Sequence, residues 1–446
     1  MIKSTLLAAT AATGALCAQG IPSLELNYDF PDFGAMLSAD DYHGPVFKLS
    51  HDYPKELPKL DPEVDKILNI DFKTKWKEYA IAVRDYTFKD NINLKDNELS
   101  FTFSGEQAQK WFHVPWQHWG ANGREGFHGL TKEGPLNEKQ IAPTQTFATS
   151  AYAVGFYNAQ GGYTIGQTWQ NPSSPDLSYV SENGFPEGTV VAKFLFTTLG
   201  EDQVPQLANP VSWNAYVYKK DIPGSDANSN ERVQTKVQLL QMDIMVKDSR
   251  ATEANGWVFG TFAYNGALKH ENPWKNLQPV GLMWGNDPEI TLSNSNPEPT
   301  KTIINDKLKE TVINDDASLP AQHLGWNSRL NGPADNPSSS CMSCHSTAQF
   351  PAISGIMPFL NNPPVEIPAD GTDAGADWMR WFRNFDDSNT AFDPGRALTT
   401  DFSLQLSKSI QNFLDYSASI QQGNYAIEYW IDGKAVHSIS RGAPQE

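Results

Sequence analysis

Two cysteines and a histidine stand together in the run Cys341-Met342-Ser343-Cys344-His345. Thiols three residues apart share one turn of helix. From there they reach the vinyl groups on adjacent rings of a porphyrin and form thioethers, and the imidazole that follows turns to the iron as proximal ligand. The competing chemistries for this spacing fit less well. A thioredoxin-type redox pair needs a strand before it, and the lead-in Asn336-Pro337-Ser338-Ser339-Ser340 is not one. A zinc site needs four ligands, yet Cys17 is the only other cysteine in the chain. A disulfide across so short a loop is strained and gives His345 no role. The spacing points to one covalent haem c, with Cys341 and Cys344 as anchors and His345 on the iron.

A sixth ligand is needed if the iron is to be closed to small molecules, and in electron carriers that ligand is usually a methionine. After His345 the only methionines are Met357 and Met379. Met357 precedes Pro358 and follows His345 by 12 residues, a stretch that spans up to about 40 Å when extended and so can wrap a haem edge. Met379 lies in Trp378-Met379-Arg380-Trp381-Phe382, where an aromatic helix facing a core explains it equally well. Either is a candidate distal ligand, and a histidine or an open site is the alternative.

The run Cys341 to His345 resembles the haem-binding signature of c-type cytochromes. The wider stretch from about His323 to Phe413 resembles an uncharacterised group of exported bacterial monohaem cytochromes. That likeness is carried by His323-Leu324-Gly325-Trp326, Asn331-Gly332-Pro333, Ser403-Leu404-Gln405-Leu406 and Gln411-Asn412-Phe413. The resemblance implies a mainly helical cytochrome c-like domain carrying one haem, and it brings no established reaction. One departure from the small cytochromes is plain. They place an amphipathic helix before the haem motif, whereas residues 331 to 340 here are Gly, Pro, Ser and Asn loop.

A second constellation lies far upstream: Trp111-Phe112-His113-Val114-Pro115-Trp116-Gln117-His118-Trp119, then Arg124-Glu125 and His128. Its three histidines could bind copper or zinc, or line a substrate pocket beside the haem with Arg124. They could equally be hydrogen-bonded packing groups, because Pro115 makes the segment a loop with no pre-set geometry. His323, just before the haem loop, is either a distal ligand or a capping group.

The elements that must hold these residues divide into two regions. Residues 1–20 have the form of a secretory signal: Lys3, an apolar run from Leu6 to Leu16, then small residues. A lipid anchor on Cys17 is the competing reading, disfavoured by the bulky Leu16 before it. Residues 71–86 are expected to be a helix, with Phe72, Trp76, Tyr79 and Val83 on one stripe. Downstream the period changes to two. Val190, Ala192, Phe194 and Phe196 alternate, as do Trp213, Ala215 and Val217. Leu240, Met242, Ile244 and Val246 share a face that Val237 and Leu239 do not, which predicts a bulge near Leu239. Trp257 to Tyr264 is apolar or small on both faces, as a central strand would be. Polar residues 293–299 mark a possible linker, with short strand patterns at 301–304 and 310–313. Late in the chain, Leu406, Ile410, Phe413 and Leu414 fall on one helical face with Thr399 to Asp401 as cap, and residues 425–439 read as a hairpin turning at Asp432-Gly433.

The expected architecture is multidomain α+β. An antiparallel β-sandwich or jelly-roll-like domain occupies residues 21–315, and a mainly helical haem domain occupies 316–446. Thirty-four Lys and Arg against 52 Asp and Glu give a formal net charge of −18, with no basic block. Nucleic acid and anionic lipid are therefore poor partners, and no later segment is apolar enough to span a bilayer. The expected function is one-electron transfer in a periplasmic or extracellular protein, with a redox protein or a small molecule as partner. Two alternatives stand beside it. One is a haem oxidoreductase of peroxidase or oxidase type, its substrate site lying between the β domain and the haem. The other is a ligand- or partner-binding β module with a redox-sensing haem.

Overall fold

The computed structural model describes residues 50–89, 110–117, 124–125, 127–226, 228–229, 231–251, 255–292, 304–320, 324–357, 368–385, 390–420, 428–431 and 434–437. The signal segment, Cys17, the polar stretch 293–299, His118 and His323 lie outside them.

Asp61 caps the first helix, α1 (Pro62–Leu68), by accepting from Glu63 N, and Pro62 opens it with its φ already set. The second, α2 (Trp76–Phe88), begins later than the sequence stripe suggests. Phe72 still packs beside Tyr79 and Val83, but from the turn ahead of the helix. Strands β1 (Trp111–Phe112), β2 (Thr131–Leu136), β3 (Thr149–Asn158), β4 (Val190–Thr197), β5 (Ser212–Tyr218), β6 (Arg232–Lys247), β7 (Trp257–Tyr264), β8 (Leu277–Met283) and β9 (Thr311–Ile313) form one antiparallel sheet. Its order is β1-β3-β4-β6-β7-β8-β9, with β2 added on β3 and β5 on β6. The expected bulge is present: Leu195 faces Gln241 while Phe196 faces Leu239, which leaves Leu240 as the extra residue. The pattern at 310–313 belongs to the sheet as β9, paired to β8.

Among the described residues one large antiparallel sheet stands where the sandwich is expected. Alternation along a strand reports that each face is buried, not what buries it. One face carries Val190, Ala192, Phe194, Met242, Ile244 and Val258 and is covered by α2 through Tyr79 and Val83. The other carries Val191, Met245, Trp257, Phe259 and Met283. Helices α3 (Ala159–Thr168) and α4 (Ser178–Asn183), inserted between β3 and β4, cover part of it with Ile165 and Val180. The rest of its cover comes from beyond residue 315: Leu324, Leu330, Met342, Phe402, Leu406, Ile410 and Phe413. Residues on both sides of 315 thus share one core.

The described part of 316–446 is loop-rich rather than mainly helical. Its helices are α5 (Cys341–His345), α6 (Asp373–Met379) and α7 (Leu404–Ile420), and β10 (Gln349–Phe350) pairs β11 (Leu398–Thr399). Leu406, Ile410 and Phe413 bury the expected stripe of α7. Its cap is Ser403, whose hydroxyl accepts from Leu406 N at 3.1 Å, and not Thr399 to Asp401. Strands β12 (Glu428–Ile431) and β13 (Lys434–His437) pair as the expected hairpin. Among the described residues no helix is long and apolar enough to cross a membrane.

Candidate functional site

The five-residue helix α5 is held at its start by its own sequence. Ser340 Oγ accepts from Ser343 N at 3.1 Å, and Ser343 Oγ accepts from Ser340 N at 2.7 Å, a reciprocal capping box. The loop ahead of it is built by turn chemistry, as its composition suggests. Asn336 Oδ1 accepts from Ser338 N at 3.0 Å, and Asn331 Nδ2 donates to Asn336 O at 2.6 Å. Trp326 N donates to Ser339 O at 2.9 Å, and a Cβ on Gly325 would collide with that same carbonyl oxygen. Cys341 N donates to Leu330 O at 3.0 Å, so residues 325–326 and 330–331 form the frame on which α5 stands.

That frame sets the helix against the sheet. Met342 is fully buried, and Asn255 Nδ2 donates to its sulfur at 2.9 Å. Cys341 Sγ lies 3.6 Å from Thr261 Oγ1 on β7. The His345 ring sits 5.2 Å from the Phe259 ring. Neither Cys341 nor Cys344 is in a disulfide, and both are only partly buried. His345 Nδ1 lies 2.8 Å from the carbonyl oxygen of Phe402. A proton on Nδ1, donated to that carbonyl, makes Nε2 the basic nitrogen of the ring, which is the tautomer a metal requires.

Both methionine candidates share one small apolar cluster with Cys344. Met357 is buried there with Leu292, Trp326, Trp378 and Phe382, and Met379 and Trp381 pack at its edge. A haem bonded at Cys344 would thus meet sulfur from this side, and the geometry does not separate the two candidates.

A polar group that the sequence reading missed lies under Cys341. Thr261 Oγ1 donates to Asp243 Oδ1 at 3.0 Å, and Gln241 Nε2 donates to Asp243 Oδ1 at 2.8 Å and to Asp335 Oδ2 at 2.8 Å. Lys193 and Glu133, 3.4 Å apart, complete the group. Burial first, and then the charge of Asp335, pushes the Asp243 carboxyl up to about 8, and Asp335 is raised as well. Burial and these two carboxylates also push the Cys341 thiol well up. A redox dithiol needs the opposite shift. The available signal was Asp243 itself, one charge inside the apolar run Leu239 to Val246, because a buried charge requires partners.

The upstream histidines do not join this site. His113 is buried against Phe156, ring centroids 6.0 Å apart, and Phe156 belongs to the core on the opposite sheet face. Burial, then the Arg124 guanidinium, then His51, keep its imidazole neutral. His128 stacks on Trp213 at 4.2 Å, also in that opposite core, and burial lowers it to about 4. Arg124 is spent on the carbonyls of Val114 (2.9 Å) and Gly129 (3.3 Å). His113 and His128 thus pack the far side of the sheet from Cys341 and His345, while Arg124 holds the loop at Val114, whose side chain belongs to the core on the site's face. Among the described residues, no group of three or more His, Cys, Asp or Glu is placed to hold a metal ion. No protein-family model matches the chain, and no curated protein or solved structure matches it either.

Proposed function

We propose that the protein is an exported monohaem c-type cytochrome that carries one electron at a time. Its haem is joined to Cys341 and Cys344, and His345 is the proximal iron ligand. The observation that carries this reading is the 2.8 Å bond between His345 Nδ1 and the Phe402 carbonyl, on a helical turn that also bears both thiols. Attachment adds each S–H across a vinyl double bond: sulfur bonds to the carbon next to the ring, hydrogen goes to the outer carbon, and nothing leaves. The bound haem supplies an Fe(III)/Fe(II) couple. The Phe402 carbonyl orients the imidazole and strengthens its donation. Met357, Met379, Trp326, Trp378 and Phe382 keep water from the Cys344 side and offer a thioether for the distal position. Residues 1–20 would send the chain to the compartment where such a protein works, and the net charge of −18 suits a basic redox partner.

The test is expression of the full chain in a host that matures c-type cytochromes. A mass gain of one haem, a six-coordinate spectrum, and loss of both in the double variant Cys341→Ala/Cys344→Ala are expected. A colourless product of unmodified mass overturns the reading.

A further inference from the structure

We propose that Asp401 is the positioning residue for the iron-ligating imidazole, acting through the Phe402 carbonyl; this rests on the haem reading above. An imidazole is only as well oriented as the carbonyl it bonds to. That carbonyl belongs to a turn in which Ser403 N donates to Thr400 O at 3.0 Å and Asp401 N donates to Thr399 Oγ1 at 3.0 Å, local bonds that do not by themselves fix it against the sheet. Asp401 (φ 45°) and Phe402 (φ 63°) are both left-handed, a conformation that is unfavourable for a non-glycine residue. Two such residues in succession persist only where the surroundings over-determine them.

Asp401 supplies that constraint. Its side chain is fully buried and accepts from three separate parts of the chain. Trp257 Nε1 on β7 donates to Oδ1 at 2.8 Å, and Phe185 N donates to Oδ2 at 2.6 Å. Lys247 Nζ, at the end of β6, donates to both oxygens at 2.9 Å. The lysine is itself fixed, since its backbone N–H donates to Thr189 O at 2.9 Å and its ammonium lies 5.0 Å from the Trp257 ring centroid. On the other side of Phe402, Ser403 Oγ lies 2.7 Å from the Tyr157 hydroxyl and caps α7. The Phe402 peptide is thus pinned at both ends. Of the two anchors, only Asp401 is an ion pair, and it ties the imidazole's partner to the central strands of the sheet.

Removing the carboxylate acts twice in one direction. A looser peptide weakens the Nδ1–H bond, so the imidazole donates less to Fe(III). The Lys247 ammonium also loses its counter-charge, which favours Fe(II). Asp401→Asn should therefore raise the reduction potential. A tenfold change in the preference of the site for Fe(II) over Fe(III) corresponds to about 59 mV, within the reach of a ligand's outer hydrogen bonds.

The experiment compares the loaded full-length protein with Asp401→Asn and Trp257→Phe. The second variant deletes one donor to Asp401 and leaves the ion pair in place. A third variant, Tyr152→Phe, is the control: it loses a buried hydroxyl bond to Asp221 at 2.7 Å, remote from Phe402. Intact mass establishes that each protein carries haem; an unloaded wild type defeats the cytochrome reading itself and is seen at this step. The expected result is a potential raised by a tenfold preference or more in Asp401→Asn, a smaller rise in Trp257→Phe, and altered ferric electron-spin resonance in both, with the control unchanged. Ring-nitrogen NMR of His345 in haem-free chain should show the Nδ1-protonated tautomer in wild type and a mixture in Asp401→Asn. Loaded Asp401→Asn with wild-type potential and resonance overturns the proposal, as does an equal shift in the control. If Asp401→Asn does not fold, an unmoved potential in Trp257→Phe overturns it.

Discussion

Asparagine in place of Asp243 should flatten the dependence of stability on pH around neutrality. The folded carboxyl is raised to about 8 against an ordinary value of 3.8, by burial and by Asp335. A carboxyl raised on folding keeps a proton that the unfolded chain has already released. Its contribution is therefore fully present below about pH 4 and is lost as pH rises toward 8. An excess bound proton makes stability fall as pH rises, so the wild type should lose on the order of 1–2 kcal/mol from this site between pH 5 and 7. The assay is urea unfolding of wild type and Asp243→Asn across this range, both in the same haem state. Exposed carboxyls whose values are lowered, such as Glu63 and Asp71 with their lysine and threonine partners, pull the slope the other way. They are common to both proteins and cancel in the difference. The difference between the two profiles should change with pH, Asp243→Asn gaining on the wild type as pH rises. Parallel profiles would refute the raised Asp243 carboxyl.

Three further perturbations follow from the geometry around the helix that bears both thiols. Of Met357→Leu and Met379→Leu, one should abolish the weak iron–sulfur charge-transfer band of the oxidised protein and the other should leave it intact; a band surviving in both rules out these two methionines, and a wild type without the band rules out methionine on the distal side. Gly325→Ala should lower the urea midpoint strongly and reduce haem incorporation, because its Cβ has no room beside the Ser339 carbonyl, and a wild-type midpoint would mean the loop can shift. Arg329 is fully buried between the Trp326 and Phe382 rings, at 4.8 and 4.7 Å, and donates to Asn286 O, Asp287 O and Ile290 O. Arg329→Met should cost about 3–5 kcal/mol in denaturant unfolding, and a loss under about 1 kcal/mol would show those carbonyls finding other donors.

Strand phases were the most legible part of the chain. Val190 to Phe196, Trp213 to Val217, the bulge at Leu240 and the two-sided Trp257 to Tyr264 could all be taken from alternation, because a period of two follows directly from the pleat. The loop before Cys341 was equally plain, since Asn336, Pro337 and the serines favour turns over ladders. The identity of the cover was not legible. An apolar strand face packs as well against a chain segment from beyond residue 315 as against a second sheet, and nothing local distinguishes them. Helix α3 escaped notice because Gly161, Gly162 and Gly166 weaken its apolar stripe. The His113 to His128 group looked like chemistry because its residue types were right, but side-chain direction across a sheet depends on long-range register. From the sequence Asp401 reads as a helix cap for the same reason: its partners, Lys247 and Trp257, lie more than a hundred residues away.

On the haem reading, a role for the large sheet follows from what touches the five-residue helix. A helix so short has too few internal bonds to hold a geometry by itself. Its side chains are instead placed by Thr261, Phe259 and Asn255 on or beside β7, and the partner of His345 is placed by Lys247 and Trp257. All five lie before residue 315. A fragment of residues 316–446 would keep Cys341, Cys344 and His345 yet lose every one of these supports, together with the apolar face that buries Met342 and Phe402. Such a fragment should remain unfolded by NMR dispersion, and any haem it acquires should show a potential and resonance unlike those of the full chain. A fragment that matched the full-length spectrum and potential would show that the sheet serves something other than the haem ligands. The supports would then be incidental, and the sheet would have to be explained by a partner or ligand of its own.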